Sequence, residues 1–223
     1  MKKNYTHISI ILDRTGSMES IRDDTIGGFN AFLNAQKAEP GLATLTLVQF
    51  DSQDPYEIVH RFKPLPEIPE LTRETFVPRA STPLLDAMGR GINDLEKSLA
   101  DLPEDERASR VVMAIITDGQ ENASREFRKD QVEKMIREKQ EKLDWQFVFL
   151  SADLDAIGDA LQSGIHASSV LSHDKDGRGV GAAWASLSRN ISDYRAARKA
   201  NVSFDDEDRE QQESEKKRKQ KPE

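Results

Sequence analysis

The sequence predicts an α/β fold: a doubly wound, mostly parallel central sheet with helices packed on both of its faces. One reason is that a run of strand length at residues 111–116 is apolar on both faces, as a strand in the middle of a parallel sheet is. A second is that segments with apolar residues at helical spacing alternate with such runs, and this order produces parallel sheets. With 223 residues, the chain has room for one such domain and little more.

The first half of the chain predicts three strands and two helices. Residues 8–12 form a buried strand, and apolar residues at helical spacing over 18–33 predict the helix behind it. A second strand at 45–50 turns through a polar segment into a third at 56–62. An irregular, proline-containing connection then leads to a helix at 85–102 with a regular apolar stripe.

The second half begins with the central strand at 111–116. Two more strands and three helices follow: a charged helix at 130–140, a strand at 147–150, a short helix from 153, a weak strand at 168–172 and a last helix carrying the apolar residues of 180–191. In the first helix, Gly27 and Gly28 predict close packing of another element against the backbone, because glycine otherwise weakens a helix interior.

The apolar pattern stops at residue 201, which sets the predicted domain at residues 1–200. Residues 201–223 contain an acidic block at 205–208 and a basic block at 216–219. A segment of this composition lacks the apolar surface needed to fold, so we predict a solvated, disordered tail. A role of this tail in docking a partner stays open.

Charge and composition exclude several function classes. A formal net charge of −8 argues against general binding to nucleic acid or anionic membranes, since both need a basic field. The absence of cysteine removes disulfides, thiolate zinc sites and cysteine nucleophiles, and it fits a reducing compartment. The apolar run at residues 8–12 is far shorter than a signal-peptide core or a membrane span, so we expect a cytoplasmic protein.

Hydroxyl and carboxylate side chains lie in three loops at one predicted edge of the sheet. Asp13, Thr15 and Ser17 come directly after the first strand. Thr82 precedes the long second helix, and Asp118 ends the central strand. Ligands of open α/β sheets bind beyond the carboxyl ends of the strands, and such oxygen donors suit Mg²⁺, Mn²⁺ or Ca²⁺. Each loop alone is better explained by a helix cap or a turn, but the combination favours a metal site.

Three motifs, in this order, resemble those of the von Willebrand factor A (VWA) family. They are Ile11-Leu12-Asp13-Arg14-Thr15-Gly16-Ser17-Met18, Ser81-Thr82-Pro83-Leu84 and Ile115-Ile116-Thr117-Asp118-Gly119. That family carries a metal-ion-dependent adhesion site (MIDAS) with the pattern Asp-x-Ser-x-Ser, a distant Thr and a later Asp. The resemblance spans residues 6–198 and points to the small, stand-alone bacterial members. Thr15 stands where the family usually has Ser, which keeps the hydroxyl.

The resemblance implies a role for each of these residues. Thr15 and Ser17 would touch the metal directly, and Asp13 would bind it through water. Thr82 and Asp118 would bind it directly or through water, depending on the conformation. The ion would keep an open position that a Glu or Asp carboxylate of a partner protein completes. We therefore expect a metal-dependent protein-binding module without catalytic activity, whose oligomeric state is left open.

Two alternative functions stay open, and several others do not fit. Asp13 could serve as the nucleophile of a metal-assisted hydrolase or phosphotransferase, although Thr15 replaces the second acid that such enzymes carry. The metal could also only stabilise the loops of a scaffold. The sequence has no Gly-x-Ser-x-Gly elbow and no Walker A loop. The glycines of 177–182 match a dinucleotide fingerprint only in part, and the calcium-loop-like segment at 174–177 has Ala183 where Glu is required.

Overall fold

The computed structural model describes the backbone of residues 1–219 and the side chains of residues 1–212. The strands are β1 (Lys2–Asp13), β2 (Leu42–Phe50), β3 (Glu57–Pro64), β4 (Ala108–Thr117), β5 (Gln146–Ser151) and β6 (Val170–Ser172). The helices are α1 (Arg22–Ala38), α2 (Leu84–Ala100), α3 (Lys129–Leu143), α4 (Leu154–Gln162), α5 (Gly177–Arg195) and α6 (Asp206–Lys219). A 3₁₀ turn, Gly16–Ile21, leads from β1 into α1.

The six strands form one sheet in the order β3-β2-β1-β4-β5-β6. All neighbouring strands run parallel except β2 and β3, which form an antiparallel pair at one edge. The predicted fold class, a doubly wound and mostly parallel sheet, is therefore confirmed. In the register of the two central strands, Leu12 lies opposite Ile116, so the carboxyl ends of β1 and β4 stop side by side.

Helices cover both faces of the sheet. One face carries Ile8, Ile10 and Leu12 of β1 against α1 and α5, and the other carries Ile11 against α2, α3 and α4. Alternate residues of a strand point to opposite faces, so β1 feeds both core layers and is buried from Tyr5 to Asp13. β1 begins earlier than the sequence predicts because its first half buries polar residues, which the apolar pattern does not reveal.

The close packing predicted at the paired glycines exists at one of them. A Cβ atom on Gly28 would lie 2.2 Å from Cδ1 of Trp184, so the α5 tryptophan sits directly on the α1 backbone. Gly27 has nothing within 4 Å of its Cβ position. Of the two glycines, it is Gly28 whose missing side chain lets Trp184 approach α1.

The segment after α5 packs on the domain. Val202 is fully buried and Phe204 is 4% exposed, and both belong to the core layer beneath α1 and α5. Asp208 is buried and accepts hydrogen bonds from Arg189 and Asn190 of α5. The prediction of a disordered tail from residue 201 is therefore wrong for residues 201–212. The sequence does not reveal this docking, because two isolated apolar residues show no periodicity. The side chains of the basic block at 216–219, and residues 220–223 altogether, lie outside the described part.

The same segment also contacts β6, the last strand of the sheet. The Phe204 amide donates to the Ser168 carbonyl at 2.7 Å, and an Arg209 guanidinium nitrogen donates to the Val170 carbonyl at 3.2 Å. The hydroxyl of Ser169 donates to the Val202 carbonyl at 2.8 Å. Residues 202–209 therefore run along the end of the sheet.

Within residues 1–219, no helix has the length and apolar character needed to cross a bilayer.

Candidate metal site

Asp13 ends β1 and is held by the chain on both carboxylate oxygens. Oδ1 accepts a hydrogen bond from the Thr15 amide at 2.7 Å, and Oδ2 accepts one from the Thr117 hydroxyl at 2.6 Å. The side chain is fully buried. Burial raises the pKa of Asp13 to about 7, against the lowering effect of the hydrogen bonds from Thr117 and Thr15. Asp13 therefore orients the first loop from a buried position at the end of β1, through its hydrogen bond with the Thr15 amide.

Hydroxyl contacts connect the three predicted loops. The Thr82 hydroxyl lies 3.3 Å from the Thr15 hydroxyl, which lies 3.2 Å from the Ser17 hydroxyl. Ser17 in turn donates to Oδ1 of Asp118 at 2.6 Å. Thr15 and Thr82 are buried and Ser17 is exposed, so this row of oxygens opens to solvent at Ser17. The structure thus brings together all five residues singled out from the sequence.

Backbone hydrogen bonds hold the loops against each other. The Gly16 amide donates to the Ala80 carbonyl at 3.0 Å, which ties the first loop to the segment before α2. The Thr82 amide donates to the side-chain oxygen of Asn122 at 2.9 Å, and the Asn122 amide donates back to the Thr82 carbonyl at 3.0 Å. The second and third loops are therefore fixed to each other at Thr82 itself.

A buried ion cluster supports the first loop from the side of β2. Asp51 follows β2 and accepts hydrogen bonds from Nε of Arg14 at 2.7 Å and Nε of Arg79 at 2.9 Å. Burial opposes ionisation of Asp51, yet the hydrogen bonds from Arg79 and Arg14 lower its pKa. In the sequence Asp51 is indistinguishable from a turn residue, so its supporting role comes only from the structure.

Glu121 lies close to the predicted ligands in sequence but serves α2. One of its carboxylate oxygens accepts from the Leu85 amide at 2.8 Å, in the first turn of the helix, and from the Ser124 hydroxyl at 2.6 Å. Its other oxygen accepts from the amides of Ala123 and Ser124. A carboxylate at a helix N-terminus satisfies unpaired amides and interacts favourably with the helix dipole. Glu121 therefore connects the loop that carries Asp118 to the first turn of α2.

Lys175 is a second residue of the site that the sequence does not reveal. It lies between β6 and α5, and its Nζ is 2.6 Å from Oδ2 of Asp118. The Asp118 side chain is 1% exposed, whereas that of Lys175 is 39% exposed. No pattern in the sequence relates a lysine in this segment to a carboxylate at the end of β4.

The arrangement of donors fits a small divalent ion. Oxygen ligands at right angles around Mg²⁺, each about 2.1 Å away, lie about 3 Å apart. The Thr82–Thr15 and Thr15–Ser17 hydroxyl separations of 3.3 and 3.2 Å are close to that spacing. Within the described residues, no group of three or more His, Asp or Glu side chains could hold a metal ion. A metal here would thus depend on hydroxyl ligands.

Solved structures with a similar fold include proximal thread matrix protein 1 from the mussel byssus. One of its structures matches 84% of this chain and 45% of that chain, with a TM-score of 0.58 and 12% identity. Another, described with a zinc occupied MIDAS motif, matches 86% and 46%, with a TM-score of 0.55 and 13% identity. The manganese-loaded TRAP protein of Plasmodium vivax matches 78% and 70%, with a TM-score of 0.54 and 16% identity.

The fold is that of a VWA domain. At these identities the likeness concerns the fold, and the chain spans less than half of the mussel protein chain. No protein-family model and no curated protein sequence matches the chain. Within this VWA fold, the row of hydroxyls lies at the carboxyl ends of the central strands, where open α/β sheets bind ligands.

Proposed function

We propose that this VWA domain is a divalent-metal-dependent protein-binding module. Its ligands would be Asp13, Thr15, Ser17, Thr82 and Asp118, and an Asp or Glu carboxylate of the partner protein would complete the coordination. The observation that supports this best is the continuous row of contacts from Thr82 to Asp118, which joins three loops far apart in sequence.

The two carboxylates and the hydroxyls of the site would have different roles in binding a metal ion. Both Asp13 oxygens are taken by Thr15 and Thr117, so Asp13 places the first loop and would reach an ion through water. Asp118 accepts a hydrogen bond from Ser17, the exposed member of the row of hydroxyls. Neutral hydroxyls leave most of an ion's charge uncompensated, and a bound ion would supply the Lewis acidity that attracts a partner's carboxylate.

We propose Mg²⁺ as the ion, with Mn²⁺ and Ca²⁺ as alternatives. Hydroxyl and carboxylate oxygens are hard ligands that favour these ions over softer metals. The manganese-loaded and zinc-occupied neighbours support divalent-ion binding by this fold. Manganese is the convenient probe, since it takes similar ligands to magnesium.

The two alternatives to a metal-dependent protein-binding module are an enzyme and a scaffold. An enzyme that used Asp13 as nucleophile would need that carboxylate free to attack, but it is buried and accepts hydrogen bonds on both oxygens. We therefore propose a protein without catalytic activity. The other alternative is a scaffold that binds its partner through a different face, with a metal that only stabilises the loops.

The test begins with the metal alone. Calorimetric titration of the wild type with Mg²⁺ and Mn²⁺ should show one site, and Thr82→Ala should weaken it. Ser20→Ala is the matched control, because its exposed hydroxyl lies in the same loop and donates only to the Ser17 carbonyl. Absence of binding at millimolar Mg²⁺ and Mn²⁺ would refute the metal site.

The second stage concerns the partner. Protein captured from native cells in Mg²⁺ should be lost in chelator and also with Asp118→Ala. Its affinity for the purified domain should rise with Mg²⁺ concentration, and added salt should weaken it less than chelator does, because a desolvated carboxylate–metal contact is poorly screened. A partner affinity that is the same at every metal concentration would instead favour the scaffold. Phosphate-ester turnover that disappears in Asp13→Asn would favour the enzyme.

A further inference from the structure

The two oxygens of the Asp118 carboxylate have different contacts within the chain: a hydrogen bond to Oδ1 and an ion pair at Oδ2. Its Oδ1 accepts from the Ser17 hydroxyl, and its Oδ2 lies 2.6 Å from the ammonium group of Lys175. With a side chain only 1% exposed, Asp118 has little solvent to stabilise its charge. A buried carboxylate needs a nearby cation or hydrogen-bond donors, and Lys175 supplies that cation.

The backbone on both sides of Lys175 is fixed. The His173 amide donates to the Ser151 carbonyl at 3.0 Å, which continues the pairing of β6 with β5. Asp176 caps α5 by accepting from the Gly179 amide at 2.8 Å. Gly177 packs so tightly that a Cβ atom there would lie 2.5 Å from Oδ1 of Asp24. The segment that carries Lys175 is therefore anchored before and after this residue.

The Lys175 side chain, in contrast, can leave without moving this backbone. It is 39% exposed, so part of its length already faces solvent. A lysine has a flexible four-carbon stem and an ammonium that is strongly hydrated, so water readily accepts it. Rotation of the stem alone would release the carboxylate, and the rest of the fold would stay as it is.

We propose that Lys175 is a built-in competitor for the metal, an ammonium that holds the Asp118 carboxylate and must be displaced before a divalent ion can use it. This inference rests on the proposed function and concerns the regulation of the same site. Lys175 thereby sets the metal concentration at which the domain becomes able to bind its partner. The competition is direct, since both cations seek the same carboxylate oxygens.

The experiment compares three proteins by calorimetric titration with Mn²⁺: the wild type, Lys175→Met and Lys129→Met. Methionine keeps the unbranched stem and removes the charge. Lys129 is the matched control, because its side chain is 38% exposed and forms a 2.7 Å ion pair with Asp159 on α4 instead of a predicted ligand. We expect Lys175→Met to bind Mn²⁺ about tenfold more tightly than the wild type, which corresponds to about 1.4 kcal/mol, and Lys129→Met to bind as the wild type does.

The outcomes separate this inference from the function on which it rests. Equal Mn²⁺ affinity of the wild type and Lys175→Met, or weaker binding by Lys175→Met, would overturn the inference alone. If none of the three proteins bound Mn²⁺, the proposed function would fall, and the inference with it.

A second measurement tests displacement without reference to affinity. In chelator, Lys175→Met should melt about 2–4 °C below the wild type, because Asp118 loses its cation in a buried site. At saturating Mn²⁺ the two melting temperatures should converge, since the ion has taken over that role. A difference of the same size in chelator and in Mn²⁺ would show that Lys175 stays on Asp118 and is structural.

Discussion

The Ser17 hydroxyl donates a 2.6 Å hydrogen bond to the Asp118 carboxylate, although 101 positions separate the two residues in sequence. They meet because Ser17 follows β1 and Asp118 follows β4, and these two strands are parallel neighbours in the sheet. The register of the sheet thus brings Ser17 and Asp118 together, whereas hydrogen bonds between loops place Thr82. Changes to ligand chemistry should therefore separate from changes to the fold.

Replacing Asp118 by Asn should lower Mn²⁺ affinity by at least about tenfold, a loss that even outer-shell partners of a metal site typically cause. The amide keeps the size of the carboxylate and can still accept from Ser17, but it lacks the charge. The melting temperature in chelator should fall only slightly, because Asn keeps an acceptor oxygen for Ser17 and the partly exposed Lys175 ammonium can turn to solvent. Titration calorimetry and thermal unfolding of the same preparations check both statements. Unchanged affinity would remove Asp118 from the ligand set.

Replacing Asp13 by Ala should destabilise the fold more than Asp13→Asn does. Alanine leaves the Thr15 amide without its acceptor in a buried site, and an unsatisfied buried polar group costs about 1–3 kcal/mol. The Thr117 hydroxyl loses its 2.6 Å bond to Asp13 and keeps only the Gly119 carbonyl at 3.1 Å. Asparagine retains one acceptor oxygen. Urea unfolding of the two variants in chelator measures the difference. Equal free energies of unfolding of Asp13→Ala and Asp13→Asn would mean that water replaces the lost carboxylate as the acceptor for Thr15 and Thr117.

The paired glycines of α1 should respond in opposite directions to alanine. Gly28→Ala places a methyl group where Trp184 stands and should destabilise by about 1–3 kcal/mol through overpacking. Gly27→Ala meets open space and should stabilise by up to about 1 kcal/mol, since alanine is the better helix former. The free energies of unfolding in urea give the comparison. Similar effects of the two substitutions would contradict the described contact between α1 and α5.

His7 should make the protein less stable as the pH falls. Its ring is buried, stacked on Phe62 and hydrogen-bonded to Thr44, and burial lowers its pKa to about 3 from the ordinary 6.5. The unfolded chain therefore binds a proton below pH 6.5 that the folded chain refuses until about pH 3. Between these values the folded state should lose up to about 1.4 kcal/mol per pH unit, and above pH 6.5 the effect vanishes.

The measurement is the free energy of unfolding of the wild type and His7→Asn between pH 5 and 8. The difference between the two proteins at each pH removes the contribution of other titrating groups. We expect it to shift in favour of His7→Asn as the pH falls. A pH-independent difference would place the pKa of His7 near its ordinary value.

Phe204→Ala should destabilise the domain by about 3–5 kcal/mol, the usual range for a buried phenylalanine. Glu207→Ala on the exposed face of α6 is the control and should change the free energy of unfolding by no more than about 0.5 kcal/mol. Urea unfolding of both variants and the wild type measures these free energies. If both variants unfold like the wild type, the segment from residue 201 does not dock in solution.

The fold and the candidate ligands could be predicted from the sequence because their signals are local. Runs such as residues 111–116 have the composition of buried strands, and all five candidate ligands lie in short motifs at a strand end or in a loop. That those residues bind a metal stays a prediction. Lys175 and Asp51 could not be found in this way, since each acts on a residue brought near only by the sheet. Val202 and Phe204 were missed because periodicity needs more than two apolar residues.

The docked segment after α5 has a consequence for the behaviour of the whole protein in solution. β6 has only three residues, and its Val170 carbonyl is used by Arg209 of this segment, next to the pairing of Phe204 with Ser168. Uncovered sheet edges invite other chains to add a strand, and native proteins guard them with short strands, charges or covering loops. All three devices are present at this edge. Removing the segment should therefore leave a chain that self-associates more strongly than the intact protein does.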